Sequence, residues 1–444
     1  MGAKRRLGLA LALLGCSATE APVVAVDAAA PWCDPSVHRE CIDDAHGVFV
    51  DGVNGDDSQP GTRASPVRTV AGALALGPQA IFVCATAYPE RALATKFPSL
   101  MILGGMHCGT FAWTGERPSL RGVDFGGDGY LADLRIDAAV DAEHTPDAIG
   151  IVALGGRLTV ERVDVAVGPG LDGADGEVDT GPPFPPVSTL SGVDAVGATP
   201  GVGGSGKCQF QNMKGGTGGA PGADGENAGY MNGTQGLHSL CVGWGYPGGD
   251  GLDGKDGVDG MAASPDGAYG DSGRGGGGGG GGDVGAGGGG GAGGCLGRPG
   301  HRGKPGGASI GIAVDHPSVV LRETHIAASD GGHGGSGNPG TAGMPGGEGG
   351  LGAGDGCKGG RGGHGGHGGA GSGARGGTSA GLLWNFATMF DRGPGSLDAD
   401  AATTLSHGHA GAGGAGGKPT MPVAPAGLEG DSVIIPRPQA PAGP

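Results

Sequence analysis

The chain has 444 residues, of which 111 are glycine and 32 proline, and aromatic residues make up only 4 %. With so much glycine and so few large apolar side chains, one dense core cannot run through the whole length. A formal net charge of -17 without a basic stripe excludes nucleic acid as an expected partner and disfavours direct adhesion to anionic lipid.

The first element in chain order is an export signal. Lys4, Arg5 and Arg6 precede an apolar run from Leu7 to Leu14. That run is far too short to span ~30 Å of hydrocarbon, which takes roughly twenty helical residues. The pattern predicts a cleaved secretory signal over residues 1–15. Leu13-Leu14-Gly15-Cys16 resembles the lipobox of bacterial lipoproteins. The resemblance implies cleavage before Cys16, a diacylglyceryl group on its thiol, and a membrane as partner through that lipid. Family members kept at the inner membrane commonly carry Asp next, whereas Ser17 follows here, so the resemblance implies the outer membrane. Several acyl chains on one residue hold a protein stably, where a single chain binds only marginally.

Nine cysteines are present, and lipid on Cys16 leaves eight: Cys33, Cys41, Cys84, Cys108, Cys208, Cys241, Cys295 and Cys357. An even number in an exported chain predicts disulfides. Nearest-neighbour pairing gives 33–41, 84–108, 208–241 and 295–357, one of many connectivities that sequence alone allows. No CxxC pair supports a zinc site.

Residues 16–45, rich in Ala, Pro and Asp, are expected to form a tether. A strand starts at Val48-Phe49-Val50 and runs into the turn Asp51-Gly52-Val53-Asn54-Gly55-Asp56-Asp57. Ser65 then reads as an N-cap and Pro66 as the first helical residue. Val67, Val70, Ala71 and Leu74 give one apolar face, and Gly77-Pro78 stops the predicted helix over 65–76. Over residues 47–85 this strand, Gly/Asp turn, Gly61-Thr62, Ser65-Pro66 and helix resemble the amino-terminal signature of an uncharacterised family. Its members continue into right-handed parallel β-helices of the pectate-lyase-like type. The resemblance implies an all-β chain, a single-stranded β-helical solenoid, with the helix covering strand edges that would otherwise invite aggregation. Short apolar stretches at 80–84, 100–105 and 130–136 suit its rungs.

An internal repeat supports that expectation. Ile149-Gly150-Ile151 leads to Leu158 through Val165, and Ile310-Gly311-Ile312 leads to Val319 through Ile326. A degraded third copy runs from Ala380 through Leu405. Glycine-rich sequence follows each copy, at 168, 331 and 408, and insertions in repeat folds map to loops on one face. The expected division is therefore 46–167 as the first part of the β-helix, 168–307 and 330–377 as excursions, 308–329 and 378–406 as rungs, and 407–444 as a tail.

Within the excursions glycine keeps a period of three, from Gly331 to Gly352, from Gly356 to Gly371 and from Gly248 to Gly260. Three residues per turn is polyproline-II geometry, and a glycine edge lets backbones pack closely. Frequent phase breaks and the pure run Gly275 to Gly282 set these stretches apart from collagen. Two readings stay open, a bundle of polyproline-II-like segments and a solvated, disordered loop.

The β-helix class contains polysaccharide lyases and hydrolases, so the resemblance makes clustered charged groups the candidates for an active site. Asp124, Asp128, Asp133 and Asp137 stand near Arg121 and Arg135, and strand alternation would place Asp133, Arg135 and Asp137 on one outer face. Asp250, Asp253, Asp256 and Asp259 form an acidic edge at a spacing of ~9 Å between carboxylates. One such edge cannot supply the six to eight oxygens of Ca²⁺, although two apposed edges or backbone carbonyls could, so no cofactor is expected, with Ca²⁺ the alternative. His364, His367, His407, His409 and His333 lie on flexible glycine flanks, and Asp51, Asn54, Asp56 and Asp57 read as turn formers. No nucleophile–base pair stands out. The expected role is structural or adhesive at the cell surface or in the periplasm, with polysaccharide or other surface proteins as partners. The alternative is a carbohydrate lyase or hydrolase.

Overall fold

The computed structural model describes residues 34–141, 145–208, 211–228, 276–315, 318–384 and 396–434, together with 248, 255, 257, 259, 261, 266–270, 272 and 274. Strands make up nearly all its regular structure. The first are β1 (Val48–Val50), then helix α1 (Val70–Ala75), β2 (Ala80–Cys84), β3 (Arg91–Ala94), β4 (Ser99–Met106), β5 (Trp113–Glu116) and β6 (Ser119–Leu120). Next come β7 (Gly122–Phe125), β8 (Asp128–Ala132), β9 (Arg135–Ala138), β10 (Ala148–Ala153), β11 (Arg157–Glu161) and β12 (Asp164–Val167). Helix α2 (Val187–Leu190) and the hairpin β13 (Ser205–Cys208) and β14 (Gln211–Lys214) lie within the first glycine-rich excursion. The last strands are β15 (Ser309–Val314), β16 (Ser318–Arg322), β17 (His325–Ala328), β18 (Ser379–Trp384), β19 (Leu397–Ala399), β20 (Thr404–Ser406) and β21 (Glu429–Ile434).

Three sheets result, ordered β1-β2-β4-β8-β11-β16-β19 with β5 beside β4, then β3-β7-β10-β15-β18-β21, and β6-β9-β12-β17-β20. Apart from β4–β5, their pairings are parallel. From β7 onward the chain visits the sheets in one cyclic order, so that β10, β11 and β12 lie beside β15, β16 and β17. Alternation dictates what faces inward. Ile81, Ile102, Leu131, Val160 and Leu321 stack across one sheet, Ile136, Val165 and Ile326 across a second, and Val123, Ile151, Ile312 and Leu382 across the third. All join one cluster, none more than 2 % exposed. Each such side chain contributes ~1.5–3 kcal/mol when removed from water.

The repeat is in register: Ile149 pairs with Ile310 and Leu158 with Val319, and Ala380 and Leu405 continue the series. The first excursion thus separates β12 from β17 in sequence and not in space. Three local readings need correction. Helix α1 is shorter than 65–76, and its cap is Thr69, whose hydroxyl accepts from Gly72 N at 2.9 Å. Asp57 takes the amides of Arg68 and Thr69, and Val67 bridges to Val50, so residues 66–68 stay extended. Residues 34–45 are not all tether, since Cys41 and Ile42 are buried against Phe49, Phe82 and Phe111. Those rings point out of β1, β2 and a loop, and need cover (the centroids of Phe49 and Phe82 are 5.0 Å apart). Finally, residues 130–136 form two strands, because Asp133 adopts φ 56° between β8 and β9. Arg162 and Glu323 hold the same left-handed corner, φ 52° and 47°, in the next two passes.

The glycine-rich excursions are packed. Gly335, Met344 and Gly350 donate to Lys304, Cys295 and Gly289 at 2.7–2.9 Å, an antiparallel ladder. Gly362 and Gly365 donate to Gly347 and Met344, and Gly291, Gly294 and Gly297 to Gly360, Gly363 and Gly366, the last set parallel. Every ladder advances by three residues on both partners, the repeat of a polyproline-II helix. Segments 285–307, 330–353 and 356–377 bond to one another, while 168–178 and 190–197 lie in the groove between the first two. At most glycine edges contact is too close for a side chain: a Cβ on Gly347 would sit 1.9 Å from the Leu190 carbonyl oxygen. The pure-glycine run has neighbours on three sides. Gly279 donates to Gly288, Gly278 to Glu226, and Gly280 accepts from Cys357, so no edge is left for a Cβ.

Cys84 and Cys108 are bonded as expected. The expected 208–241 and 295–357 pairs are replaced by Cys208–Cys295, with Cα atoms 5.2 Å apart. Bundle neighbours are remote in sequence, so nearness along the chain is a poor guide to nearness in space. Cys41 and Cys357 are also disulfide-bonded. Cys16, Cys33 and Cys241 lie outside the described residues, as do the signal peptide and the rest of the expected tether.

Candidate functional site

The expected charged constellation is dispersed. Asp133 leaves the face shared by Arg135 and Asp137, because the left-handed corner interrupts the alternation. Its carboxylate is nearly inaccessible and meets Arg162 Nε at 2.8 Å. Arg162 also pairs with Asp34 at 2.9 Å and with Glu161, which accepts from the Tyr130 hydroxyl at 2.7 Å. Burial opposes the guanidinium charge, but Asp133, Glu161 and Asp34 outweigh it and raise the Arg162 pKa. Burial, then the Glu161 carboxylate, pushes the Tyr130 phenol up. This network fastens the N-terminal segment to the sheet. Aligning Glu161-Arg162 with Arg322-Glu323 in the repeat would have been the signal for it. Asp128 accepts from Arg157 N at 2.7 Å, and Arg135 and Asp137 form an exposed pair.

Asp124 and Arg121 do share a place. They line a surface cleft of ≈ 690 Å³ with Pro89, Arg91, Val140, Asp141, Thr145, Asp147, Ile149 and Val152. An adjoining hollow of ≈ 530 Å³ shares Pro89 and Arg121 and adds Tyr88 and Asp137. Strands β3, β7 and β10 supply the floor, and the connection from β9 to β10 forms the wall. Arg91 pairs with Asp124 and donates to the Ile149 carbonyl at 2.6 Å. Asp147 accepts from Ala308 N at 2.7 Å. The Arg121 guanidinium has no partner among the described residues. Tyr88 is held by Gly52 N and by the carbonyls of Val50 and Cys84, and burial raises its pKa. The cleft therefore offers one uncommitted cation, hydrogen-bonding carboxylates and a floor that combines Ile149 and Val152 with the Arg91–Asp124 pair. Among the described residues it holds no nucleophile beside a base.

The acidic residues of the bundle serve its backbone. Asp172 accepts from His333 N at 2.6 Å, and Gly173 donates to the carbonyl of the same His333 at 2.7 Å. Asp175-Gly176 grips Ser336 in the same way, Asp194-Ala195 grips Leu351, and Asp330-Gly331 grips His409. Each pair clips one residue of a parallel neighbour on its outward edge. Pro339 and Pro345 stand on that same edge between the clips, where an N–H would have no acceptor. Asp259 accepts from Ala370 N at 2.8 Å and from Lys418 at 2.7 Å, while Asp250, Asp253 and Asp256 lie outside the described residues. Burial raises the Asp259 pKa, but these donors outweigh it and lower it. The x-Asp-Gly triplets were visible in sequence as an acidic row, without the backbone target that explains them.

The remaining candidates do not converge on a metal. His364 and His367 are three residues apart on an extended segment, ~9 Å along its axis. His407 bonds the Gly408 carbonyl, and His333 Nδ1 accepts from Ala412 N. Asp51 approaches Cys84 and Cys108, yet those sulfurs form a disulfide and offer no thiolate. Its carboxylate takes the amides of Val53, Asn54 and Gly109, Asp56 takes the turn amide of Ser58, and Asp57 takes the amides of Arg68 and Thr69 ahead of α1. Comparison with protein-family models, with curated proteins and with solved structures gives no match to this chain.

Proposed function

We propose that the chain is a lipid-anchored display protein of the bacterial cell envelope, structural or adhesive and able to hold glycans. Its three parallel sheets wind as a right-handed β-helix, a reading supported by their cyclic visiting order and the in-register repeat. The observation that carries the function is how the charged groups are spent. Many are paired with one another or clipped to backbone amides, whereas His333, Pro339, Ala342, Pro345, Glu348 and Leu351 face solvent along one segment. A rod with a solvent-facing position every third residue suits contact with another surface. The Arg121 cleft, with its mixed apolar and charged floor, suits a sugar ring and its hydroxyls.

The test is incubation of the full chain with acidic and neutral polysaccharides, with and without Ca²⁺. Retention of a polysaccharide without shortening is expected, weakened by Arg121→Ala. Shortened products would establish the lyase or hydrolase alternative instead. The anchor is tested separately by fatty-acid labelling, which Cys16→Ala should abolish.

A further inference from the structure

We infer that the far end of the glycine bundle is a docking surface for a protein partner whose contact face is apolar and basic. The bundle departs from the sheets near residues 168, 307, 330, 377 and 408. At ~3.1 Å per residue, Leu351 lies ~65 Å along its segment from Asp330. Three turns meet there. Ala286 N donates to the Gly197 carbonyl at 3.0 Å, Ala353 N to the Ala286 carbonyl at 2.9 Å, and Gly285 N to Asp355 at 2.7 Å. On these turns Val193, Val196, Val202, Val284 and Leu351 are 57–76 % exposed. They are five of the fifteen large apolar side chains left exposed among the described residues.

The turns themselves do not need these side chains. Leu351 is held by its amide on Asp194, and Val193 by its amide on the Val202 carbonyl. Solvent-facing turns ordinarily carry Gly, Asn, Asp or Ser, and clustered exposed apolar groups mark contact sites. Charge selects the partner. Asp194, Asp224, Asp283 and Glu348 are exposed around the valines, and the nearest basic residues described along these segments, Lys207 and Lys358, lie beyond the turns. Anionic lipid and a second copy's identical tip would both be repelled, whereas a basic apolar face would be drawn in.

The inference extends the display reading and needs neither the lipid nor a glycan. The probe is an amphipathic peptide of leucine and lysine, titrated onto the full chain in phosphatidylcholine nanodiscs. The combined change Val193→Ser, Val196→Ser, Val284→Ser and Leu351→Ser should weaken binding about tenfold or more. The control Val53→Ser with Leu154→Ser, at exposed sites on the body, should leave it unchanged, and both variants should keep the parent's amide exchange. Equal binding by all three proteins overturns the inference, as does equal binding of phosphatidylglycerol vesicles or tip-dependent self-association. Should polysaccharide binding fail while the tip variant still separates from the control, the glycan reading falls and the docking surface stands.

Discussion

In the three-sheet body the interior is filled by side chains, whereas in the glycine bundle it is filled by backbone. The body brings strands together by stacking Ile, Leu and Val in columns, and its backbone bonds run within the sheets. In the bundle each segment is its neighbour's wall, so the inner edges are mostly glycine, with a few small buried side chains such as Ala286, Ala292 and Cys295. The number of glycine edges on a segment then counts its neighbours. Segments with an outward row, such as 330–353, keep a non-glycine residue every third position, while 276–282 is surrounded and wholly glycine.

The sharpest way to break the comparison is to remove a buried charge from the body. Arg162→Ala strands the Asp133 carboxylate and should cost about 3–5 kcal/mol in chemical denaturation. Arg162→Lys should recover little, since one ammonium cannot replace the forked guanidinium. Bundle amides should keep their exchange protection if the two regions unfold separately. Gly347→Ala should lower bundle stability by about 2–3 kcal/mol, because its methyl overlaps the Leu190 carbonyl. Its neighbour Glu348→Ala, on the outward edge, should change stability by less than about 0.5 kcal/mol.

Acid should weaken both regions. At Asp51 and Asp57 in the body, and at Asp355 in the bundle, burial raises the carboxyl pKa but amide donors outweigh it, so each lies below its ordinary 3.8. A depressed folded pKa contributes stability that is complete above the unfolded value and lost as pH falls through the folded one. The melting midpoint should therefore hold above about pH 5 and fall steadily below about pH 4. A smaller effect than at Gly347 is expected at a clip. Asp172→Ala should cost about 1 kcal/mol and speed exchange of the His333 amide, with Asp172→Asn milder because an amide oxygen still accepts.

Much of the body was legible in the residues. Alternation in 158–165 and 319–326, with the same Ile-Gly-Ile before each, located the repeat and its register, because burial of one face forbids a one-residue slip. The site was less legible. Arg121 and Asp124 were singled out and do share a cleft, but Asp133 was placed on the wrong face. Its corner geometry depends on Arg162 in the next pass, which no local pattern reveals.

By itself the sequence determined the period of three, the repeat and the alternating apolar faces, since these arise from sterics and burial within one segment. Only the tertiary structure decided which segments lie side by side. That choice joins Cys208 to Cys295, sets Asp172 on His333, and, through Asp57 and Val50, holds residues 67–69 out of the helix so that the cap of α1 moves from Ser65 to Thr69. Each is a contact between parts of the chain whose spacing in space is unrelated to their spacing in sequence, so only the packed molecule defines it.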